Sequence, residues 1–138
     1  MKDKRFLVIP AALTLLAGLY ILNKQADGLT ATERTEVSMR AKNFVRRLNR
    51  RELDTCYKAF SPTMSGKTSI ERFHAIFDPI LEYLGEFVEF RGGSVSKKTY
   101  TSGTIYYTCN LKCDFENGRA LFTIIFDKDM EIAELFVK

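Results

Sequence analysis

Tyr107-Thr108-Cys109-Asn110-Leu111-Lys112-Cys113-Asp114-Phe115-Glu116-Asn117-Gly118-Arg119-Ala120-Leu121-Phe122-Thr123-Ile124-Ile125-Phe126 places an apolar or thiol side chain at every second position on both sides of an Asn-Gly pair. A period of two marks a half-buried strand, and Asn-Gly is the strongest short-range signal for a two-residue type I′ hairpin turn. Setting Glu116 opposite Arg119 pairs Phe115 with Ala120, Cys113 with Phe122, Leu111 with Ile124 and Cys109 with Phe126. These eight side chains share one face, while the Glu116/Arg119 and Lys112/Thr123 pairs share the other. A slip of one residue would send the apolar set into water, so the alternation predicts an antiparallel sheet with one buried face.

The period of two begins at Phe87 and runs to the last residue. Gly92-Gly93, Ser102-Gly103, Asn117-Gly118 and Lys128-Asp129 divide it into strands near 87–100, 104–116, 119–127 and 130–138, a curved antiparallel meander. A two-residue Lys128-Asp129 turn adds Ala133, Leu135 and Val137 to the inner face. It gathers Leu121, Ile125, Ile132 and Phe136 on the outer one. That outer patch reads either as a layer covered by the first helix or linker, or as a surface for a homodimer or a partner, because exposed apolar patches mark contact sites.

Upstream the period is helical. Thr30-Ala31-Thr32-Glu33 fits a capping box, and Val37, Ala41, Phe44, Val45 and Leu48 follow on one face. Arg40, Arg46, Arg47, Arg50 and Arg51, with Lys42, occupy the opposite half. They read as a solvated surface favoured near a helix C-terminus, as a face for anionic lipid head groups, or as a face for an acidic protein partner or nucleic acid, the last disfavoured for a domain outside the cell. Glu52–Phe60 reads as a second short helix stopped by Ser61-Pro62. Thr68-Ser69-Ile70-Glu71 repeats the capping-box spacing, and Ile70, Phe73, Phe77, Ile80, Leu81 and Leu84 form an i, i+3, i+4 stripe. Pro79 is expected to kink or break that third helix, and Gly85 to stop it.

Phe6 to Leu22 is a run of seventeen residues without a charge behind the basic head Met1–Arg5. As a helix it would span about 26 Å, near the lower limit for a bilayer core. Asn23–Gly28 offers no small-x-small cleavage pattern, and no Cys follows at a lipoprotein position. The expectation is one transmembrane helix acting as a signal anchor, with residues 1–27 forming anchor and linker and 28–138 the domain. Secretion after signal cleavage is the alternative. Lys2, Lys4 and Arg5 precede the span and Lys24 alone follows closely, which keeps the N-terminus in the cytoplasm and puts the domain outside the cell. The basic helix from Arg34 to Arg51 weighs against that orientation.

Bulk charge adds little. Removing Lys2, Lys4, Arg5, Lys24, Asp3 and Asp27 from the 21 basic and 17 acidic residues leaves 17 against 15. A surplus of two gives no argument for nucleic acid. Cys109 and Cys113 on one strand would lie roughly 13 Å apart, too far to bond. Free buried thiols are therefore expected, Cys56 included unless the fold brings it to one of them.

Helix, short helix, longer helix and a four-stranded meander is the order of the cone-shaped NTF2-like α+β fold. The local pattern resembles the small bacterial NTF2-like domains of unknown function of the DUF3887 type. The resemblance rests on Phe44-Val45-x-x-Leu48-Asn49, Tyr57-x-x-Phe60, Leu84-Gly85-Glu86-Phe87, the strand Tyr107 to Gly118, and Phe126-Asp127-x-Asp129-x-Glu131-Ile132. It covers about residues 33–138 and implies three helices packed on the meander behind a signal peptide or anchor. It brings no catalytic residues.

Chemistry is sparse. NTF2-like enzymes place acids, His or Tyr inside the cone. Here the inner face offers Cys109, Leu111, Cys113, Phe115, Phe122, Ile124 and Phe126, with no positive charge to activate a thiol. His74, the single histidine, is expected at the core edge or the mouth of the cone, and Tyr57, Tyr83 and Tyr107 could bring hydroxyls there. The candidate ligand pocket is thus His74, Tyr107, Cys109, Leu111, Cys113, Phe122 and Ile124, with no catalytic residue and no cofactor. Ser65-Gly66-Lys67-Thr68 lacks the glycine and strand of a phosphate loop. Asp127-x-Asp129-x-Glu131 is no EF-hand loop, and no metal set is expected. The sequence points to a non-catalytic, membrane-anchored, extracytoplasmic domain binding a protein partner or an apolar ligand. A homodimeric component of a cell-envelope assembly is the alternative, and a small enzyme using the cone a third. A ligand binder needs a cavity at the inner face, a scaffold needs the outer patch exposed, and an enzyme needs His74 facing a pocket beside a carboxylate.

Overall fold

The computed structural model describes residues 7–8 and 28–138. In chain order these form β1 (Leu7–Val8), α1 (Ala31–Asn49), α2 (Leu53–Tyr57), α3 (Pro62–Lys67), α4 (Ile70–Leu84), β2 (Phe87–Thr99), β3 (Ile105–Phe115), β4 (Gly118–Asp127) and β5 (Ile132–Val137). The strands make one antiparallel sheet in the order β1-β5-β4-β3-β2. The α+β class and the meander β2–β5 are as the sequence predicts.

The anchor read at Phe6–Leu22 lies mostly outside the described residues. Leu7 and Val8 are extended and pair with Val137 and Phe136. Among the described residues no helix is long and apolar enough to cross a membrane.

The capping box of α1 is present in both directions: Glu33 N donates to Thr30 Oγ1 and Thr30 N to Glu33 Oε1, each at 3.0 Å. Val37, Ala41, Phe44, Val45 and Leu48 are its buried residues, the predicted set. Instead of a bare connection after the second helix, the chain makes α3. Pro62 sits at its first position, where a missing N–H costs nothing, and the Ser61 side chain accepts from Met64 N. Tyr57 then donates its hydroxyl to Thr68 O at 2.7 Å, covering the end of that short helix.

Two expectations about α4 are corrected. Its N-cap is Ser69, accepting from Arg72 N, and Thr68 instead closes α3. Of the kink or break expected at Pro79, the break does not occur: the residue lies inside the helix without ending it. A proline in a helix interior costs about 3 kcal/mol. Burying Phe73, Phe77 and Leu81, none of them measurably exposed, returns about 1.5–3 kcal/mol each. Packing therefore outweighs the break.

The β3–β4 register also differs from the sequence reading. Phe115 faces Gly118, Cys113 faces Ala120, Leu111 faces Phe122, and Cys109 faces Ile124. Each pair is displaced by two residues, so Glu116 and Asn117 form the turn. A slip of two keeps every side chain on its face, because the strand period is two, and alternation cannot detect it. Type I′ geometry needs positive φ at both central residues, and neither Glu116 nor Asn117 has it. The turn is held from outside instead. Asn117 N donates to Leu84 O, Asn117 Nδ2 to Tyr83 O, and Glu86 N to Glu116 Oε1. The hairpin tip thereby satisfies carbonyls that the end of α4 leaves open.

The β4–β5 connection corrects the outer face. It is longer than the expected two-residue Lys128-Asp129 turn, with Met130 at positive φ. The pairing jumps from Phe126↔Ile132 to Ile125↔Glu134. This bulge at Ala133 reverses the facing of what precedes it. Ile132, expected outside, is fully buried in the core beside Leu135 and Val137. Its backbone exchanges hydrogen bonds with Ala59 and Ser61, which seals that end of β5.

Candidate functional site

The helices and the inner face share a single apolar cluster running from Val37 to Val137. Cys109, Leu111, Cys113, Phe122 and Ile124, proposed as pocket lining, are at most 2% exposed and belong to that cluster with Phe73, Phe77 and Leu81. They are core, and a ligand among them would have to displace packed side chains. The three cysteines are free and buried. Burial pushes their thiols up, to about 12 for Cys56 and Cys113 and about 11 for Cys109. A thiol that stays protonated is neither a nucleophile nor a metal ligand at neutral pH.

Tyr107 ends β3's inward row beneath the start of α1. Its hydroxyl donates to Glu33 Oε2 at 2.9 Å, and Lys97 Nζ lies 3.1 Å from the same oxygen. Glu33 is thus a cap, an acceptor and an ion-pair partner at once. The Thr30 backbone bond, then Tyr107 and Lys97, hold its carboxyl down at about 2. Burial, and then the neighbouring carboxylate, push Tyr107 up to about 12. The cluster locks α1 to β2 and β3 and leaves neither group poised to move a proton near neutrality.

His74 stands on the outside of α4 with a carboxylate beside it. Its Nε2 is 2.9 Å from Asp54 Oδ1 of α2, its Nδ1 is 3.8 Å from Asp78 Oδ2, and its side chain is 40% exposed. The Asp54 bond raises its pKa. The carboxylate that an enzyme reading asked for is present, but on an exposed helix surface.

The basic face of α1 is partly neutralised. Arg40 pairs with Glu36 and Arg50 with Glu52. Arg46 and Lys42 lie over the ring of Phe90 at 5.1 and 5.5 Å. Arg51 adopts φ 63° where the chain leaves the helix. Arg47 borders a hollow of about 500 Å³ with Arg40, Met39, Phe44 and Met130.

Two features escaped the sequence reading. Glu134 lies opposite Ile125 and is 5% exposed, with no hydrogen-bond partner for Oε1 among the described residues. Burial pushes its carboxyl up to about 7, against the pull of Lys67. The bulge that carries it there was invisible in the alternation. The second is a pair of hollows at the hairpin end of the sheet. One, about 540 Å³, runs along Pro79, Ile80, Tyr83 and Leu84 of α4 to Val137. The other, about 470 Å³, holds Arg91, Lys112 and Asp114. Arg119, Ala120 and Lys138 border both. Asp114 draws Arg91 to 2.8 Å and Arg119 to 3.3 Å. Asp127, Asp129 and Glu131 also approach one another, but Asp127 Oδ1 already accepts from the backbone of Asp129 and Glu131.

Helices on one face of an antiparallel meander, a filled core and surface hollows define a small α+β domain without a convergent catalytic set among the described residues. Residues 41–135 match the family described as "protein of unknown function (DUF3887)", and the chain belongs to that family. No curated protein and no solved structure matches it.

Proposed function

We propose that this chain is a non-catalytic, membrane-anchored, extracytoplasmic domain of the NTF2-like type that binds an apolar ligand or a protein partner through its outside surface. The observation that carries this reading is the filled inner face. With Cys109, Leu111, Phe122 and Ile124 in the packed core, an apolar concavity is left on the surface in the groove along α4, lined by Pro79, Ile80 and Leu84. The NTF2-like assignment is supported by the order of helices and meander. The anchor is supported by the uncharged run Phe6–Leu22 and the basic head. Thiols held protonated and a histidine on the surface weigh against an enzyme using the cone.

The homodimer reading loses ground. Ile132 faces inward and Ile125 is buried, so the patch offered to a second copy shrinks to Leu121 and Phe136, both half-buried.

Fractionation of cells expressing the tagged full-length chain, followed by carbonate washing and gentle pull-down, tests the proposal. Retention in the washed membrane pellet is the expected result. Recovery in the soluble fraction would remove the anchor. A single stoichiometric protein companion would select the partner over the ligand.

A further inference from the structure

We propose that the two adjoining hollows at the hairpin end of the sheet form one binding site for a single-chain anionic lipid. Its acyl chain would lie along the α4 groove and its phosphate head among Arg91, Lys112, Arg119 and Lys138. This rests on the ligand-binding reading above and names the ligand class; it does not depend on the anchor.

Three observations converge. The first is adjacency: Arg119, Ala120 and Lys138 line both hollows, so two cations stand at the border of the apolar groove. The second is charge. Four cationic side chains face one side-chain carboxylate, Asp114, a local side-chain surplus of three, where the side chains of residues 28–138 carry a surplus of only two. The rest of the domain is therefore slightly acidic, and Glu89, beside Asp114 in register, is the next acid. Asp114 draws both guanidinium groups toward the trough at 2.8 and 3.3 Å, orienting them before a phosphate arrives. Lys112 and Lys138 supply mobile point charges beside them.

The third observation selects a lipid over an acidic peptide. A peptide laid in the groove must find partners for its amides, since burying them unpaired is costly. Several of the groove's backbone groups are already engaged. Leu84 O accepts from Asn117 N and Tyr83 O from Asn117 Nδ2, while Leu121 and Lys138 exchange both of their hydrogen bonds. An acyl chain asks for no such partners. Leu7 pairs with Val137, a residue that lines the groove.

The test uses the full-length chain in phosphatidylcholine nanodiscs and two palmitoyl lysolipids carrying a diazirine on the acyl chain. One has a phosphoglycerol head and the other phosphocholine, and crosslinks are mapped by mass spectrometry. The phosphoglycerol probe should label the Pro79–Leu84 and Val137 peptides about tenfold more than its zwitterionic twin. Arg119→Glu with Lys138→Glu should erase that preference, a change in affinity of about one decade. Arg40→Glu, on α1 beside the separate Met39 and Met130 hollow, should leave it intact, and circular dichroism checks folding. Ile80→Asp should lower labelling by both probes. Equal labelling by the two heads, or insensitivity to the double charge reversal, would overturn the proposal. So would displacement by an acidic peptide but not by unlabelled lysophosphatidylglycerol, which would give the site to a protein. A chain that washes off membranes yet labels with this preference loses its anchor and keeps this site. A membrane-retained chain without the preference does the reverse.

Discussion

The two faces of the sheet are built from alternate residues of the same strands, yet they solve different problems. The inner face is uniform: Cys109, Leu111, Phe122, Ile124 and Leu135 are closed off from water by α1 and α4 and offer no polar group that needs a partner. The outer face is a mosaic. Asn110 accepts from Thr123 at 2.7 Å, Asp114 bridges two arginines, and Glu134 is buried with one oxygen lacking a partner among the described residues. The inner face carries stability through shape, and it leaves binding to whatever lies outside.

The sharpest way to break this comparison is truncation on each side. Phe77→Ala should cost about 3–5 kcal/mol, enough to unfold much of a domain this size, while Leu121→Ala on the outer face should cost under about 1 kcal/mol. Urea denaturation of the two variants reads the contrast, and equal costs would mean that the outer face also acts as core.

Glu134 comes next. Its carboxyl is raised to about 7 from an ordinary 4.5, so the folded state holds its proton more tightly than the unfolded chain does. Stability from this group is full below pH 4.5, falls between 4.5 and 7, and is flat above. Glu134→Gln should raise stability at pH 8 by on the order of 2–3 kcal/mol and flatten that slope. A steeper slope in the variant would reverse the assignment.

Gly85→Ala should cost about 1–3 kcal/mol. Gly85 has φ 77°, and a Cβ there would come within 2.7 Å of Glu116 Oε1. A thermal scan of the variant should show the loss, and an unchanged transition would mean that the hairpin tip yields.

The smallest effect belongs to His74. Its raised pKa means that its contribution is complete below pH 6.5 and is lost as pH rises through the folded value. Its side chain is exposed, so His74→Asn should shift the pH profile only slightly, and a large shift would point to a role beyond bridging α2 and α4.

Much of this fold was legible because local rules agreed with tertiary packing. The five core residues of α1 and its capping box followed from spacing alone. The face of every inward residue on β3 and β4 followed from alternation. What escaped did so for definite reasons. The two-residue displacement at Asn117 preserves alternation, so no periodic argument can detect it. The bulge at Ala133 moved Ile132 to the other face without any turn residue to announce it. Pro79 remained helical because Phe73, Phe77 and Leu81 outweigh it, and that balance is a property of the assembled core. The proposed surface site brings together α4, β2, β3, β4 and the residues after β5. Arg91 and Lys138 are remote in sequence, and only the hairpin's position makes them neighbours.

The docking of Glu116 and Asn117 onto the end of α4 has a kinetic consequence. The last carbonyls of that helix find their protein partners in residues more than thirty positions later, so until the hairpin docks they are left to water. Its final turn gains these bonds only when the hairpin closes, and loop closure of this kind is slow relative to helix growth. The two elements therefore form and open as one cooperative unit. The apolar groove beside Tyr83 and Gly118 belongs to that unit and comes into existence only at its last step.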